Sequence, residues 1–388
     1  MVDLSAFYVA IDNLGEIGSV FGGDVAREVH AEVGRRLGSD LRLDYKMKPI
    51  KSLGFALSAR RVADVECHHA TKVAMALQSA TAYPITIGNL SVAVSLSCRQ
   101  HQCEKHDIHQ GCGHVSRQAY LADMGAATFA YLALSEGRFY LEEQPIHRAG
   151  SQGVYLYKEC LIRLCDERER AVMPALYIPA LERLGLTRAF DRQIVSVVIE
   201  ELKQRRDVVL GCNVSARSVS LDLWWQEQFP LLLKASGVSG RLIVELTESA
   251  QPYSFEVVAR FVSHLQKAGC RVALDDFGTG YSSFGLAADV VFDIIKIDRS
   301  YLRRRGPAED AGFLLPNLIT IARSMARDVV VEGVETETDL AAARLAGAHW
   351  VQGYFIGRPE VSMNHRGQDI VSLEMNDFVQ TAAVQAGE

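Results

Sequence analysis

The chain has 388 residues, 48% of them apolar and 23% charged, which suits soluble globular protein and leaves room for two domains. A formal net charge of −6 without a long like-charge run excludes the basic footprint of a protein that grips duplex DNA or RNA by its backbone. Residues 1–11 lack the basic flank and apolar core of a secretion signal, and no apolar run is long enough for a membrane span. The eight cysteines show no regular pairing and fit reduced thiols, which places the chain in the cytoplasm.

In chain order, residues 7–11 read as a strand, 24–37 as an amphipathic helix, 87–97 as a strand region and 115–134 as an alanine-rich helical stretch. Together they make a small α+β unit over residues 1–135. A glycine-containing turn at 135–137 then leads directly into eight strand-like runs: FYLEEQPI, GVYLYKECL, VVLGCNV, RLIVELTE, RVALDDF, FDIIKID, DVVVEGVE and WVQGYF. Helical patterns separate most of them, so residues 136–365 predict an α/β fold of the (β/α)8 barrel type. The polar tail, 366–388, carries no functional signal. Trp224 and Trp225 read as packing of a barrel helix, since no basic groove surrounds them to make a base-stacking platform.

The polar residues of these runs fall near their carboxyl ends: Glu159, Asn213, Glu245, Asp275 with Asp276, Lys296, Glu332 and Gln352. A packed barrel interior rejects so many unpaired polar groups, whereas the C-terminal rim is where barrel enzymes gather their active sites. Five carboxylates and an amide at one rim call for cations, and an all-oxygen set favours Mg²⁺ or Mn²⁺ over zinc. Adjacent Asp275 and Asp276 suit two ions, an arrangement that serves in-line displacement at phosphorus; Lys296 adds positive charge. Taken singly, each carboxylate also fits a helix cap or a surface charge. The ordered set does not.

These residues stand in a series: Glu159-Cys-Leu-Ile-Arg163, Asn213-Val-Ser-Ala-Arg217, Glu245-Leu-Thr-Glu248, Asp275-Asp-Phe-Gly-Thr-Gly-Tyr-Ser-Ser283, Lys296-Ile-Asp298, Glu332-Gly-Val-Glu335 and Gln352-Gly-Tyr354. The series resembles the successive motifs of EAL-domain cyclic di-GMP phosphodiesterases, in family order, over about residues 139–359. The resemblance implies hydrolysis of cyclic di-GMP to linear pGpG. It implies a first ion on Glu159, Asn213, Glu245 and Asp275, and a second reached by Asp275 and Asp276. Glu332 would lie near the attacking water and Lys296 would orient or activate it. Gln144, Leu161, Arg163, Asn213, Asp298, Glu335 and Gln352 would meet the substrate, Arg163 through its planar guanidinium fork. The loop Asp276, Phe277, Gly278, Thr279, Gly280, Tyr281, Ser282 and Ser283, fixed by Glu248, would couple the metal site to a homodimer interface. A cyclic di-GMP receptor without turnover, signalling through a protein partner, and a pure scaffold are the competing expectations.

The signature reads Glu-Cys-Leu where the family name has Glu-Ala-Leu. Strand alternation turns Cys160 away from the site, where it serves as a small hydrophobe. The N-terminal unit resembles a degenerate GGDEF cyclase fold through Phe7-Tyr-Val-Ala-Ile-Asp-Asn. On that alignment Ala10 takes the place of a metal-binding Asp, Gly18 and Ser19 replace the guanine-contacting pair, and the signature hairpin is Lys51-Ser-Leu-Gly-Phe55. Cyclase activity is not expected; a sensing or regulatory role is. His101, Cys103, His106, His109, Cys112 and His114 offer zinc ligands in one short stretch, but their spacing matches no standard knuckle. A solvated loop is the simpler expectation there. Cys67-His68-His69, in a helical context, reads as surface or core.

Overall fold

The structure, a computed structural model, describes residues 6–50, 54–60, 66–99, 116–151, 153–219, 222–247, 255–279, 283–303 and 314–366. Residues 51–53 of the expected signature, the histidine- and cysteine-rich stretch 100–115, Glu248, Gly280, Tyr281, Ser282 and the tail from 367 therefore lie outside the described residues.

The N-terminal unit carries β1 (Ala6–Ile11), β2 (Tyr45–Ile50), β3 (Gly54–Ala59), the small hairpin of β4 (Ile85–Ile87) and β5 (Leu90–Val92), and β6 (Leu96–Arg99). The expected strand region at 87–97 is thus split into three short strands. The main sheet has the order β2-β3-β1-β6 and is antiparallel. Its helices are α1 (Leu14–Phe21), α2 (Gly23–Leu41), α3 (Glu66–Thr81) and α4 (Arg117–Ser135). Helix α2 buries Val29, Val33, Leu37 and Leu41, one apolar residue per turn, which is the pattern that folds it against the sheet.

The C-terminal part is built on β7 (Phe139–Arg148), β8 (Tyr155–Cys165), the short β9 (Ala171–Val172), β10 (Leu210–Ser215), β11 (Leu242–Thr247), β12 (Arg271–Phe277), β13 (Phe292–Ile297), β14 (Ala326–Val331), β15 (Trp350–Val351) and β16 (Glu360–Arg366). Eight of these, β7, β8 and β10 to β15, close into a ring, because β7 pairs with β8 on one side and with β15 on the other. The ring is parallel from β8 to β15, while β7 runs antiparallel to both neighbours. The reason is the connection: β7 ends at Arg148 and β8 begins at Tyr155, too close along the chain for the crossover that parallel strands require. Strand β16, unforeseen from the polar sequence there, extends the sheet beyond β7.

Around the ring lie α5 (Ile178–Arg183), α6 (Thr187–Gln204), α7 (Phe229–Ser236), α8 (Phe255–Lys267), α9 (Ser283–Asp289), α10 (Arg299–Arg303), α11 (Leu314–Met325) and α12 (Glu337–Leu345). Helix α8 buries Val258, Phe261, Val262 and Leu265 at the spacing of one helical face. Among the described residues no helix is long and apolar enough to cross a membrane.

The two parts share one continuous apolar core. The Tyr131 hydroxyl on α4 donates to the Leu186 carbonyl at 2.7 Å, and Arg183 pairs with Asp123 at 2.6 Å. Trp224 and Trp225 are packing residues, as expected, but Trp224 also faces the N-terminal unit: its indole N–H donates to Gln78 Oε1 of α3 at 2.9 Å. Trp224→Ala should therefore cost about 3–5 kcal/mol of stability, through lost burial and the cavity left behind. Chemical denaturation of the full chain is the measurement.

Candidate active site

A strand's side chains alternate between faces, so residues two apart point the same way. A small apolar cluster, separate from the main core, contains Tyr157 of β8, Ile243 of β11, Ala273 of β12, Ile294 of β13 and Val330 of β14, with Ile146 of β7. Two residues further along the same strands stand Glu159, Glu245, Asp275, Lys296 and Glu332. The ring interior is thus plugged by apolar side chains, and the polar set lies on the plug at the carboxyl ends of the parallel strands. Asn213 joins it from β10, in register with Glu245 of β11. On β7, which runs the other way, Gln144 is the register partner of Glu159.

Lys296 is the hub. It is 1% exposed, and its ammonium lies 2.7 Å from Glu245, 2.8 Å from Glu332, and 3.2 Å from both Glu159 and Asp275. Burial alone lowers an ammonium's pKa, but these four carboxylates reverse that and hold Lys296 well above its ordinary value. The carboxylates divide. Burial pushes Glu159 up, but Lys296 and the Gln352 and Asn213 amides outweigh it, and the group stays below its ordinary value. Burial wins at Glu245, raised to about 8, and at Asp276, raised to about 6 with help from Asp275. Asp275 and Glu332 are also raised, chiefly by burial. One ammonium cannot neutralise five carboxylates, so the cluster takes up protons or cations.

The amides are arranged around Glu159. Asn213 Nδ2 donates to Glu159 Oε1 and Gln352 Nε2 to Glu159 Oε2, each at 2.7 Å; Gln352 also reaches Gln144 Oε1 at 3.3 Å, and Gln144 donates to the Gly357 carbonyl at 3.1 Å. Left over are Asn213 Oδ1, Glu245 Oε1 and Gln352 Oε1, buried without a hydrogen-bond partner among the described residues. Asp275, Asp276 and Glu332 can each place an oxygen within 4.8 Å of the other two. Unpaired buried oxygens beside a carboxylate trio fit a hard divalent cation such as Mg²⁺ or Mn²⁺.

That Asp275 and Asp276 converge is not what strand alternation predicts. Asp276 adopts φ +56°, in the left-handed region, and the pairing of β12 with β13 shifts register between Leu274 and Phe277. This local turn brings the second carboxylate round to join the first. The described part of the loop continues compactly. Phe277 is fully buried, Gly278 has φ +95° against Tyr301, and the Thr279 amide and hydroxyl donate to the Asp276 carbonyl at 3.1 and 2.9 Å. Ser283 opens α9.

Gly211 has no chemistry of its own and drew no notice in the sequence. A Cβ there would overlap Glu245 Oε1 and the Tyr157 ring. Only glycine lets the Tyr157 plug and the Glu245 carboxylate occupy that space.

The other expected residues are placed as follows. Leu161 and Arg163 continue the Glu159 row outward along β8; opposite them on β7 run Glu142 and Tyr140. Arg163 is held by Glu142, its Nε donating to Oε2 at 2.9 Å. Asp298 accepts the Ser300 amide at 2.9 Å and caps α10. Glu335 is exposed; its backbone N–H donates to Asp339 at 3.1 Å at the start of α12. The strand expected at 328–335 ends at Val331, so Glu332 and Glu335 stand on the connection after it. Cys160 is buried behind the site in the main core, beside Cys212 of β10 in register, as strand alternation requires.

The EAL domain family model matches residues 130–359, more than half of the chain. Cyclic di-GMP phosphodiesterase PdeF of Escherichia coli is 31% identical over 232 residues, which are 59% of this chain and 31% of that protein. The chain thus spans about a third of the length of that relative. The solved EAL domain of FimX from Pseudomonas aeruginosa, bound to c-di-GMP, superposes with a TM-score of 0.55 at 24% identity, covering 61% of this chain and 96% of that one. A Vibrio cholerae LapD structure comprising S helix, GGDEF and EAL parts, bound to c-di-GMP, covers 90% of this chain and 89% of its own at a TM-score of 0.55 and 16% identity. These likenesses establish the fold.

Two outcomes follow from the geometry. Lys296→Met, which strands three buried carboxylates and the half-buried Glu332, should lower the stability of metal-free protein by about 3–5 kcal/mol, read by denaturant unfolding. Gly211→Ala should cost about 1–3 kcal/mol through overpacking, and should weaken Mn²⁺ binding, measured by calorimetry, because the Glu245 carboxylate must move.

Proposed function

The chain belongs to the EAL domain family, and on that premise we propose that it hydrolyses one phosphodiester bond of cyclic di-GMP, releasing linear pGpG, with two Mg²⁺ or Mn²⁺ ions. The observation that carries this reading is the convergence of Glu159, Asn213, Glu245, Asp275, Asp276 and Glu332 around Lys296, with the Asn213 and Glu245 oxygens buried and unpaired. Glu159, Asn213, Glu245 and Asp275 would hold one ion, and Asp275 and Asp276 the other. When bound, such a pair lowers the pKa of water and offsets the charge that develops on phosphoryl oxygens.

The chain's own residues do the rest. Lys296, fixed as an ammonium, keeps Glu159 ionised and adds positive charge beside the reacting phosphate. Glu332, drawn to the same ammonium, flanks the attacking water and steers its proton. Gln352 and Gln144 orient Glu159 through their amide chain and border the substrate. Leu161 and Arg163 lie on the same face of β8 as Glu159 and receive the nucleotide beyond the reacting centre. Arg163 exchanges its Glu142 partner for a phosphate, a trade of one charge-assisted fork for another. Asp298 and Glu335 complete the substrate's surround.

The N-terminal unit is read as a GGDEF-like regulatory domain without cyclase chemistry, a reading supported by the shared fold with the LapD chain. The loop 276–283 together with Glu248 is assigned to coupling with a second copy of the chain. A cytoplasmic location and a regulatory protein partner complete the proposal.

Incubation of the full chain with cyclic di-GMP and Mn²⁺, resolved by chromatography, should yield pGpG. Glu159→Ala should cost more than the roughly 10–100-fold typical of losing a supporting group around a metal. Tight binding without turnover would replace the enzyme with a receptor, and neither binding nor turnover would leave a scaffold.

A further inference from the structure

We propose that Asp191, outside the metal-ligand set, is a positioning residue that aims Asn213 at its ion and thereby sets the protein's affinity for divalent cations. The inference rests on the metal-dependent reading above.

Strand β10 is unequally supported. Its pairing with β11 runs from Leu210 to Ser215, but its pairing with β8 covers only Leu210 to Cys212. From Asn213 onward the strand has, among the described residues, a paired neighbour on one side only. Asp191, reaching in from α6, meets the end of this half-supported stretch. Its Oδ2 accepts the Ser215 backbone N–H at 2.9 Å and the Ser218 hydroxyl at 2.6 Å. Ser218 is fully buried and Asp191 is 7% exposed, so neither bond is shared with bulk water. The next residue of the same helical turn, Arg192, donates to Asp222. Consecutive side chains of α6 thus hold two points of the connection that follows Asn213.

Asn213 depends on that hold. One end of its amide donates to Glu159, and the other, Oδ1, is buried and unpartnered. Which way Oδ1 points is set by the backbone at 213, two residues before the amide that Asp191 accepts. Packing alone would be served as well by an apolar side chain, because burying a carboxylate is costly. A carboxylate earns its place by accepting a backbone N–H and a hydroxyl at once. Groups bonded directly to metal ligands are worth about 10–100-fold in affinity; Asp191 acts one step further out, through the backbone that carries Asn213.

The test is direct Mn²⁺ titration of the nucleotide-free full chain by calorimetry, with thermal melting recorded alongside. Asp191→Ala should weaken Mn²⁺ binding by about 10–100-fold. Asp191→Asn, which keeps an oxygen for the Ser215 amide, should stay within about threefold of wild type, a smaller change than the loss of one hydrogen bond brings. Unchanged affinity in a folded Asp191→Ala, even with a lowered melting temperature, makes the residue a packing tie and overturns the inference. Equal losses in the Ala and Asn variants overturn it too, since the acceptor oxygen would then be irrelevant. Should Asp191→Ala fail to fold, Ser218→Ala removes one of the two donors and should weaken Mn²⁺ by about threefold or more; no change there is equally fatal. A wild-type chain that binds no Mn²⁺ brings down the metal-dependent reading and this inference together, whereas normal wild-type binding unaffected in Asp191→Ala brings down only the latter.

Discussion

Everything at the rim of the barrel is organised by the Lys296 ammonium, buried among carboxylates that come from four other strands or strand ends. Burying one such charge is tolerable only if its partners arrive with good geometry, and gathering five buried or half-buried carboxylates around one ammonium leaves a surplus of negative charge. Burial first, and that surplus after it, raise the pKa values of Glu245, Asp275, Asp276 and Glu332. A site for hard cations has the same electrostatic description, because the ligands must give up protons to bind them.

The barrel meets this demand by register. Strands β8, β11, β12, β13 and β14 each contribute an apolar residue to the plug and, two positions on, a charged one to the rim, so a slip of one residue in any of them would turn that charged group into the outer core. Two local departures from regularity complete the set. The antiparallel β7 brings Gln144 opposite Glu159, and the left-handed Asp276 with its register shift recovers a second carboxylate from a strand that would have turned it away. A non-glycine residue with positive φ beside the rim is strain that the surrounding pairing holds in place. Gly211 is the complementary device, an absent side chain that leaves space for Tyr157 below and Glu245 beside it.

The N-terminal unit is joined to the barrel through buried contacts. Tyr131, Gln78 and Asp123 tie it to the Leu186 carbonyl, Trp224 and Arg183, and the apolar core passes between the two without a break. Trp224 lies on the connection that leaves β10, the strand carrying Asn213, so the two parts meet close along the chain to one of the rim residues. The tryptophan pair was legible as packing, but not as packing against another unit.

By itself the sequence determined the eight strand positions, the polar residue at each carboxyl end, their order, and the outward turn of Cys160, because two-residue alternation and strand punctuation are local properties of a chain. Only the tertiary structure decided that Lys296 would stand between Glu159, Glu245, Asp275 and Glu332, since those residues are far apart in sequence and meet only when the ring closes. It also decided the convergence of Asp275 with Asp276, which alternation forbids until a left-handed residue and a register shift intervene. The same is true of Gln352 and Gln144 clasping Glu159, of Glu142 holding Arg163, and of β16 beside β7. Each of these is a pairing across the fold, and pairwise geometry has no signature in one-dimensional pattern.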